Sequence, residues 1–220
     1  MTPLITKEGP KFSKILSLGA ARGDLVISNE EIAGPIDSSD EWIRQRTGVI
    51  ERRRSSESEN TIDLATRASL EALESSGISA NEVDAVIVAT ISNSVQTPSL
   101  AALLADRVGV SPAAAFDISA ACAGYTYGIA QADALIRSGT AKHVLVVGAE
   151  KLSDFAKKDD RTISFLLGDG AGAAIVGPST SVGIGPTTWG SDGSKWGSVG
   201  MDRPIKEAFE DPAGKFPTLR

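Results

Sequence analysis

Three short runs decide most of what this chain can fold into: VDAVIVATI at 83–91, HVLVVGAE at 143–150 and GAGAAIVG at 170–177. Each is apolar almost throughout, as expected of a strand buried on both faces. Between and before them lie helical signals. TIDLATRASLEALESS at 61–76 places Ile62, Ala65, Leu70 and Leu73 at near-helical spacing, with Gly77 as a stop. SLAALLADRVG follows Pro98 and closes at Gly109, and a further helix is expected over 122–138, ending at Gly139. Strand signals at KILSLGA (14–20) and AAAFDISA (113–120) complete the alternation. Strand alternating with helix implies βαβ units and a mostly parallel sheet covered by helices, an α/β fold. After Gly177 the texture shifts to Gly, Pro, Ser and charge, which reads as loops and short strands.

Composition narrows the function classes. The formal charge is −6, with no long basic run, which argues against nucleic acid and anionic membrane as partners. Arg52-Arg53-Arg54 is short and reads as a solvated face. No apolar stretch approaches the ~20 residues of a spanning helix. Residues 1–13 do not read as a signal peptide and are expected to form a mobile leader. One cysteine cannot make an internal disulfide, so a cytoplasmic setting is expected.

That cysteine, Cys122, stands where AAAFDISA runs into a helix. The first turn of a helix offers unpaired N–H groups and a positive dipole end, both of which stabilise a thiolate. Its neighbours Ala120, Ala121, Ala123 and Gly124 leave room for a substrate carbonyl. A small core thiol is the competing reading. The only histidine, His143, begins an apolar strand and reads as structural, which leaves a Cys–His protease poorly supported. One Cys and one His cannot furnish a metal cluster, so no metal is expected. The string GDGAG at 168–172 lacks the dinucleotide spacing and reads as a tight turn with close backbone packing. SSDEWIRQR at 38–46 opens as a capping box, with Ser38 as N-cap and Glu41 three residues on.

The motifs SSDEWIRQRTGVIER, FDISAACAGYTYGI, VLVVGAE, DDRTISFLLGDGAGAAIV and SDGSKWG occur in the order found in β-ketoacyl-acyl-carrier-protein synthase III, which the chain resembles over most of residues 14–200. The resemblance implies a thiolase-like fold, five-layered αβαβα when complete. Residues 14–177 would supply its N-terminal half and 178–220 a loop-rich connection. It implies initiation of type II fatty acid synthesis. Cys122 would take an acyl group from acyl-CoA, and malonyl-acyl carrier protein would be decarboxylated and condensed with it, without a cofactor. Trp42 and Arg161 would sandwich the adenine of CoA, and Arg46 would lie near its phosphates. Thr97, just before Pro98, would reach from one subunit into the acyl pocket of the other, and Leu167 would line that pocket; alternatively Thr97 serves as an N-cap. A homodimer is implied, with the strand before Cys122 near the two-fold axis. The Cys122 helix, apolar almost all round, is expected to be buried.

The family's catalytic histidine and asparagine lie in motifs of the form H-Q-A-N and G-N-T-S, which do not occur in this sequence. The second half is therefore expected outside it, as a separate or cleaved chain or as the remainder of an incomplete sequence. Alone, the 220 residues are expected not to condense. A polyketide starter-unit synthase or acyltransferase of the same fold is the alternative enzyme. A non-catalytic thiolase-like dimerisation partner is the alternative of another class, expected to have lost its nucleophile.

Overall fold

The structure, a computed structural model, describes residues 8–204, 206–207 and 217–219. In chain order its elements are β1 (Phe12–Arg22), β2 (Leu25–Ser28), α1 (Asn29–Ala33), α2 (Asp40–Thr47), β3 (Glu51–Arg54), α3 (Thr61–Ser76), β4 (Ala85–Ala89), α4 (Leu100–Arg107), β5 (Ala114–Ile118), α5 (Gly124–Arg137), β6 (Val144–Lys151) and β7 (Asp169–Ser179). They form two compact units. The first takes the described residues up to 21, with 59–150 and 170–187; the second takes 22–58, 151–169 and the described residues from 188 onward.

In the first unit one sheet runs β1-β7-β6-β4-β5; it contains the three apolar runs as β4, β6 and β7, with AAAFDISA as β5 and KILSLGA within β1. β4 is parallel to both neighbours, pairing Ala85 to Ala89 with Ala114 to Ile118 on one side and with Val144 to Gly148 on the other. The apolar runs are apolar at every position because alternate side chains enter two different cores. Val86, Val88, Leu145, Val147, Ala173 and Ile175 meet α3 and α4 on one face. Ala85, Ile87, Val144, Val146, Ala174 and Val176 meet Ala132 and Ile136 of α5 on the other.

α3 occupies its expected span and ends at Gly77, which takes the left-handed conformation (φ 68°). Its buried stripe is Ile62, Leu64, Ala65, Ala68, Ala72 and Leu73, whereas Leu70 is 48% exposed. Contrary to the expectation from its apolar sequence, α5 is not buried all round. Gly124, Gly128, Ala130, Ala132 and Ile136 are buried, and Thr126, Gln131 and Ala134 are exposed. Within this unit, only the face turned to the sheet has anything to pack on.

In the second unit β2 and β3 pair antiparallel, from Leu25 with Arg54 to Ser28 with Glu51. A small core of Ile32, Ile36, Ile43 and Phe165 lies with α1 and α2. The N-cap of α2 is Ser39, not Ser38: its side chain accepts from Trp42 N at 3.1 Å, and Ser38 stands one residue too early to reach the first turn. The arginine triplet is not a solvated face. Arg52 is buried, donating to the carbonyls of Ile27 and Ser28 and to Asn29 Oδ1, and Arg54 donates to Ser164 O at 2.9 Å. A guanidinium entering a core needs partners for its donors, and here the backbone ending β2 and Asn29 Oδ1 take the two terminal nitrogens, while the buried Nε has none. Past Gly177, β7 runs on to Ser179, followed by loops, a 3₁₀ turn at Gly193–Lys195 and a bridge between Met201 and Leu219. The expected leader falls partly outside the described residues, and β1 begins at Phe12.

Candidate functional site

Cys122 lies just beyond the carboxyl end of β5, in a 3₁₀ turn (Ala121–Ala123) that leads directly into α5. It is exposed in this chain, whereas a small core thiol would be buried. The carboxyl edge of a parallel sheet is where open α/β folds bind ligands. The chain reverses there through a strained residue: Ala121 has φ 44°, a left-handed conformation costing a non-glycine residue about 1 kcal/mol or more. Strain of this kind immediately before an exposed sulfur is what a strand–turn–helix needs to hold a nucleophile clear of the sheet.

The helix behind Cys122 is pressed closely onto the strands. A Cβ on Gly128 would stand 2.8 Å from Val146 Cγ1, and one on Gly124 3.0 Å from Ala89 Cβ. In turn, Gly148 leaves room for the Tyr125 ring, whose nearest carbons would lie 3.3–3.7 Å from a Cβ there. Burial pushes the Tyr125 hydroxyl's pKa up. Glycines on both sides of the helix–strand contact thus set the height of the turn that carries the sulfur.

His143 is buried and its Nδ1 lies 3.0 Å from Glu82 O, at the amino end of β6, opposite the end where Cys122 stands. It is structural, as its sequence position indicates. The GDGAG string is backbone packing rather than a turn, since Asp169 to Gly172 lie in β7. Asp169 accepts from Ser55 N, Ser153 N and Ser153 Oγ, and a Cβ on Gly168 would stand 2.8 Å from Arg53 O. Among the described residues no group of three or more His, Cys, Asp or Glu side chains could hold a metal ion. None of their helices is long and apolar enough to cross a membrane.

Trp42, Arg46 and Arg161, far apart in sequence, come together in the second unit. The Arg46 guanidinium carbon is 4.5 Å from the Trp42 ring centroid and that of Arg161 is 5.0 Å away. Both are within direct cation–π range. Trp42 and Arg46 are one turn apart on α2, so their contact follows from helix geometry. Phe165 meets the indole edge-on, with centroids 5.4 Å apart and planes at 75°. Arg161 is carried by a turn in which Asp160 accepts from Thr162 N and Oγ1; these bonds, the hydroxyl's first, hold the Asp160 pKa below its ordinary value. Sequence reading missed Phe165 and this turn, although Asp-x-Thr is a recognisable turn signal. Arg46, which the resemblance puts near the nucleotide, lies against the indole.

Thr97 is exposed in the loop between β4 and α4, and Leu167 is half-buried, two residues after Phe165. Thr97 is not the N-cap of α4. That role falls to Ser99, whose Oγ accepts from Ala102 N at 3.2 Å.

The sequence profile of 3-oxoacyl-[acyl-carrier-protein] synthase III matches residues 116–193, the stretch holding Cys122 and its turn. A β-ketoacyl-[acyl-carrier-protein] synthase III of Kocuria rhizophila is 53% identical over 195 residues, covering 89% of this chain and 55% of that protein. One from Tropheryma whipplei is 49% identical over 210 residues, covering 96% of this chain and 65% of its own. The chain belongs to the β-ketoacyl-acyl-carrier-protein synthase III family. The fold agrees. The crystal structure of the priming β-ketosynthase of the R1128 polyketide pathway superposes with a TM-score of 0.94 at 41% identity, over 99% of this chain and 65% of that one. The chain therefore has the thiolase-like fold of this synthase family and spans between about half and two thirds of the length of these curated relatives.

Proposed function

We propose that the protein is an initiating condensing enzyme in which Cys122 is the acyl-accepting nucleophile. The observation that carries this reading is the exposed sulfur on a strained turn at the carboxyl edge of the parallel sheet, in a chain of this family. The Cys122 thiolate attacks the thioester carbonyl of acyl-CoA, and collapse of the tetrahedral adduct expels the CoA thiolate. Malonyl-acyl carrier protein then loses CO₂, and its enolate attacks the acyl-cysteine and returns the sulfur as thiolate. The reaction runs on these substrates without a cofactor, in a cytoplasmic setting that suits a lone thiol.

Trp42, Arg46 and Arg161 take the nucleotide of CoA, since indole and guanidinium faces both stack on a purine and the arginines offer charge to phosphate. The geometry sharpens the expectation: with Arg161 already in contact with Trp42, that side chain must swing out before a base can lie between them. Thr97 and Leu167 bound the acyl chain. His143 is committed to Glu82 O, so the groups that stabilise the malonyl-derived carbanion are assigned outside this sequence. Residues 14–177 act as the half that carries the nucleophile. β5 ends the sheet with Ala114 and Phe116 exposed, an edge suited to pairing with a second copy in a homodimer.

The test is mass spectrometry of the full-length protein after incubation with acetyl-CoA. One acetyl group should appear on the peptide carrying Cys122 and be absent from Cys122→Ala; labelling elsewhere would refute the assignment. Priming of a polyketide pathway is the second reading, favoured by the fit to the R1128 priming enzyme. It predicts a preference for that pathway's acyl carrier protein as acceptor. A non-catalytic role is disfavoured by the retained, exposed Cys122.

A further inference from the structure

The loop between β4 and α4 is held at both ends by carboxylates from the strands that flank β4. From β6, Glu150 Oε1 accepts from Ile91 N at 2.9 Å. Its Oε2 accepts from Ser92 N at 3.1 Å, Ser92 Oγ at 2.5 Å and Thr90 Oγ1 at 3.4 Å. From β5, Asp117 accepts from Leu100 N at 2.7 Å and Ala101 N at 2.9 Å, the first two amides of α4. Parallel register makes this possible: Asp117 pairs with Val88 and Gly148 with Ala89, so both carboxylates stand level with the point where β4 gives way to the loop. Between the clamped ends the loop turns on Asn93, whose Nδ2 donates to Val95 O at 2.7 Å, and then exposes Val95, Gln96 and Thr97. Hydrogen bonds to a charged acceptor are the stronger kind, and six from two carboxylates are more than a passive connection needs.

We propose that Glu150 and Asp117 are positioning residues that fix the loop bearing Thr97 and so set the longest acyl primer the enzyme accepts. This rests on the reading of Thr97 as an acyl-pocket residue. A pocket wall discriminates chain length only if it does not yield, and Thr97 has no burial of its own to hold it. Asp117 also lies on the strand that runs on to Cys122, five residues later, so one rigid element carries a copy's own nucleophile and steadies the wall that the copy lends to the other subunit's acyl pocket.

The test compares acetyl-CoA with dodecanoyl-CoA in the full-length protein carrying Glu150→Gln, Asp117→Asn, Ser92→Ala or Thr97→Phe, with amide hydrogen exchange measured on each. Glutamine keeps one acceptor oxygen and loses the other. Ser92→Ala spares both carboxylates, and it reads the clamp if Glu150→Gln folds poorly. Exchange should rise at residues 91 and 92 in Glu150→Gln and Ser92→Ala, and at Leu100 and Ala101 in Asp117→Asn. The ratio of kcat/KM for dodecanoyl-CoA over acetyl-CoA should rise about tenfold in the carboxylate variants and less in Ser92→Ala. Thr97→Phe should lower it. If the clamp variants speed exchange but leave the ratio unchanged while Thr97→Phe alters it, the clamp proposal is overturned and the pocket reading stands. If Thr97→Phe leaves the ratio unchanged too, the pocket reading falls and the clamp proposal with it.

Discussion

Cys122 is placed by backbone. A parallel strand, one left-handed alanine and a helix seated on glycines fix it, and no side-chain hydrogen bond enters that description. Trp42 is placed by side chains: two guanidiniums and a phenyl edge surround it on a unit where arginines and aspartates tie short elements together. Backbone placement gives a rigid point suited to a reacting atom. Side-chain placement gives contacts that can exchange for a ligand's, which suits binding.

The comparison is broken most directly at the sulfur itself. Cys122→Ala should lower acyl transfer by about a thousandfold or more, since nothing else in the turn can form the covalent intermediate. Trp42→Ala should leave single-turnover acylation at saturating acyl-CoA within a few-fold of the parent. Gly128→Val comes next. Its added carbons meet Val146 and Ile87, so the helix must lift or the strands must give. Overpacking of this kind costs about 1–3 kcal/mol, read by thermal unfolding. Acylation of Cys122 should fall as well, because the turn moves with the helix. Normal acylation in a destabilised Gly128→Val would show that the height of the turn does not matter.

At the other site the expected effects are smaller. Trp42→Ala or Arg161→Ala should weaken CoA binding about tenfold by calorimetry, the scale of a stacking contact and a cation–π pair together. The rate of chemistry at saturation should hardly change. If acylation at saturating substrate fell as far as in Gly128→Val, side-chain placement would matter to the reaction itself, and the contrast between the two sites would fail.

The same contrast governs what could be read from sequence. The sheet, α3 and the strand–turn–helix at Cys122 were legible because period and turn chemistry dictate them locally: β4 is buried at every position, and Gly77 stops α3. Cys122 stood out as a candidate on physics as well as on resemblance. Trp42 and Arg161 came from resemblance alone, because their contact joins residues 42 and 161 and no local pattern encodes it. The helix cap slipped by one residue since Ser38 and Ser39 are chemically identical and only the chain's path chooses between them. Arg52 was misread because its acceptors are the backbone carbonyls of Ile27 and Ser28, which become available only once β2 and β3 pair. Glu150 and Asp117 escaped notice because each acts across a strand register.

The smallest expected effect separates the two placements by pH. In the second unit Asp202 accepts from Thr218 N, from Lys157 Nζ and from Thr218 Oγ1, and these bonds, the backbone one first, lower its pKa from 3.8 to about 2. The folded state therefore binds this proton less readily than the unfolded chain. The carboxylate's contribution to stability is complete above about 3.8 and is lost as pH falls through about 2. In the first unit Glu150 goes the other way: burial raises its pKa above 4.5 and outweighs the bonds from Ser92, Ile91 and Thr90. There the folded state holds the proton more tightly, so stability declines as pH rises from about 4.5 through the raised value. Melting temperatures of Asp202→Asn and Glu150→Gln, each relative to the parent and followed across pH, should thus change in opposite directions. The Asp202→Asn deficit should shrink as acid is added below about 3.8, and Glu150→Gln should gain on the parent as base is added above about 4.5. Parallel curves would mean that Glu150 is held as a carboxylate by its donors as firmly as Asp202 is.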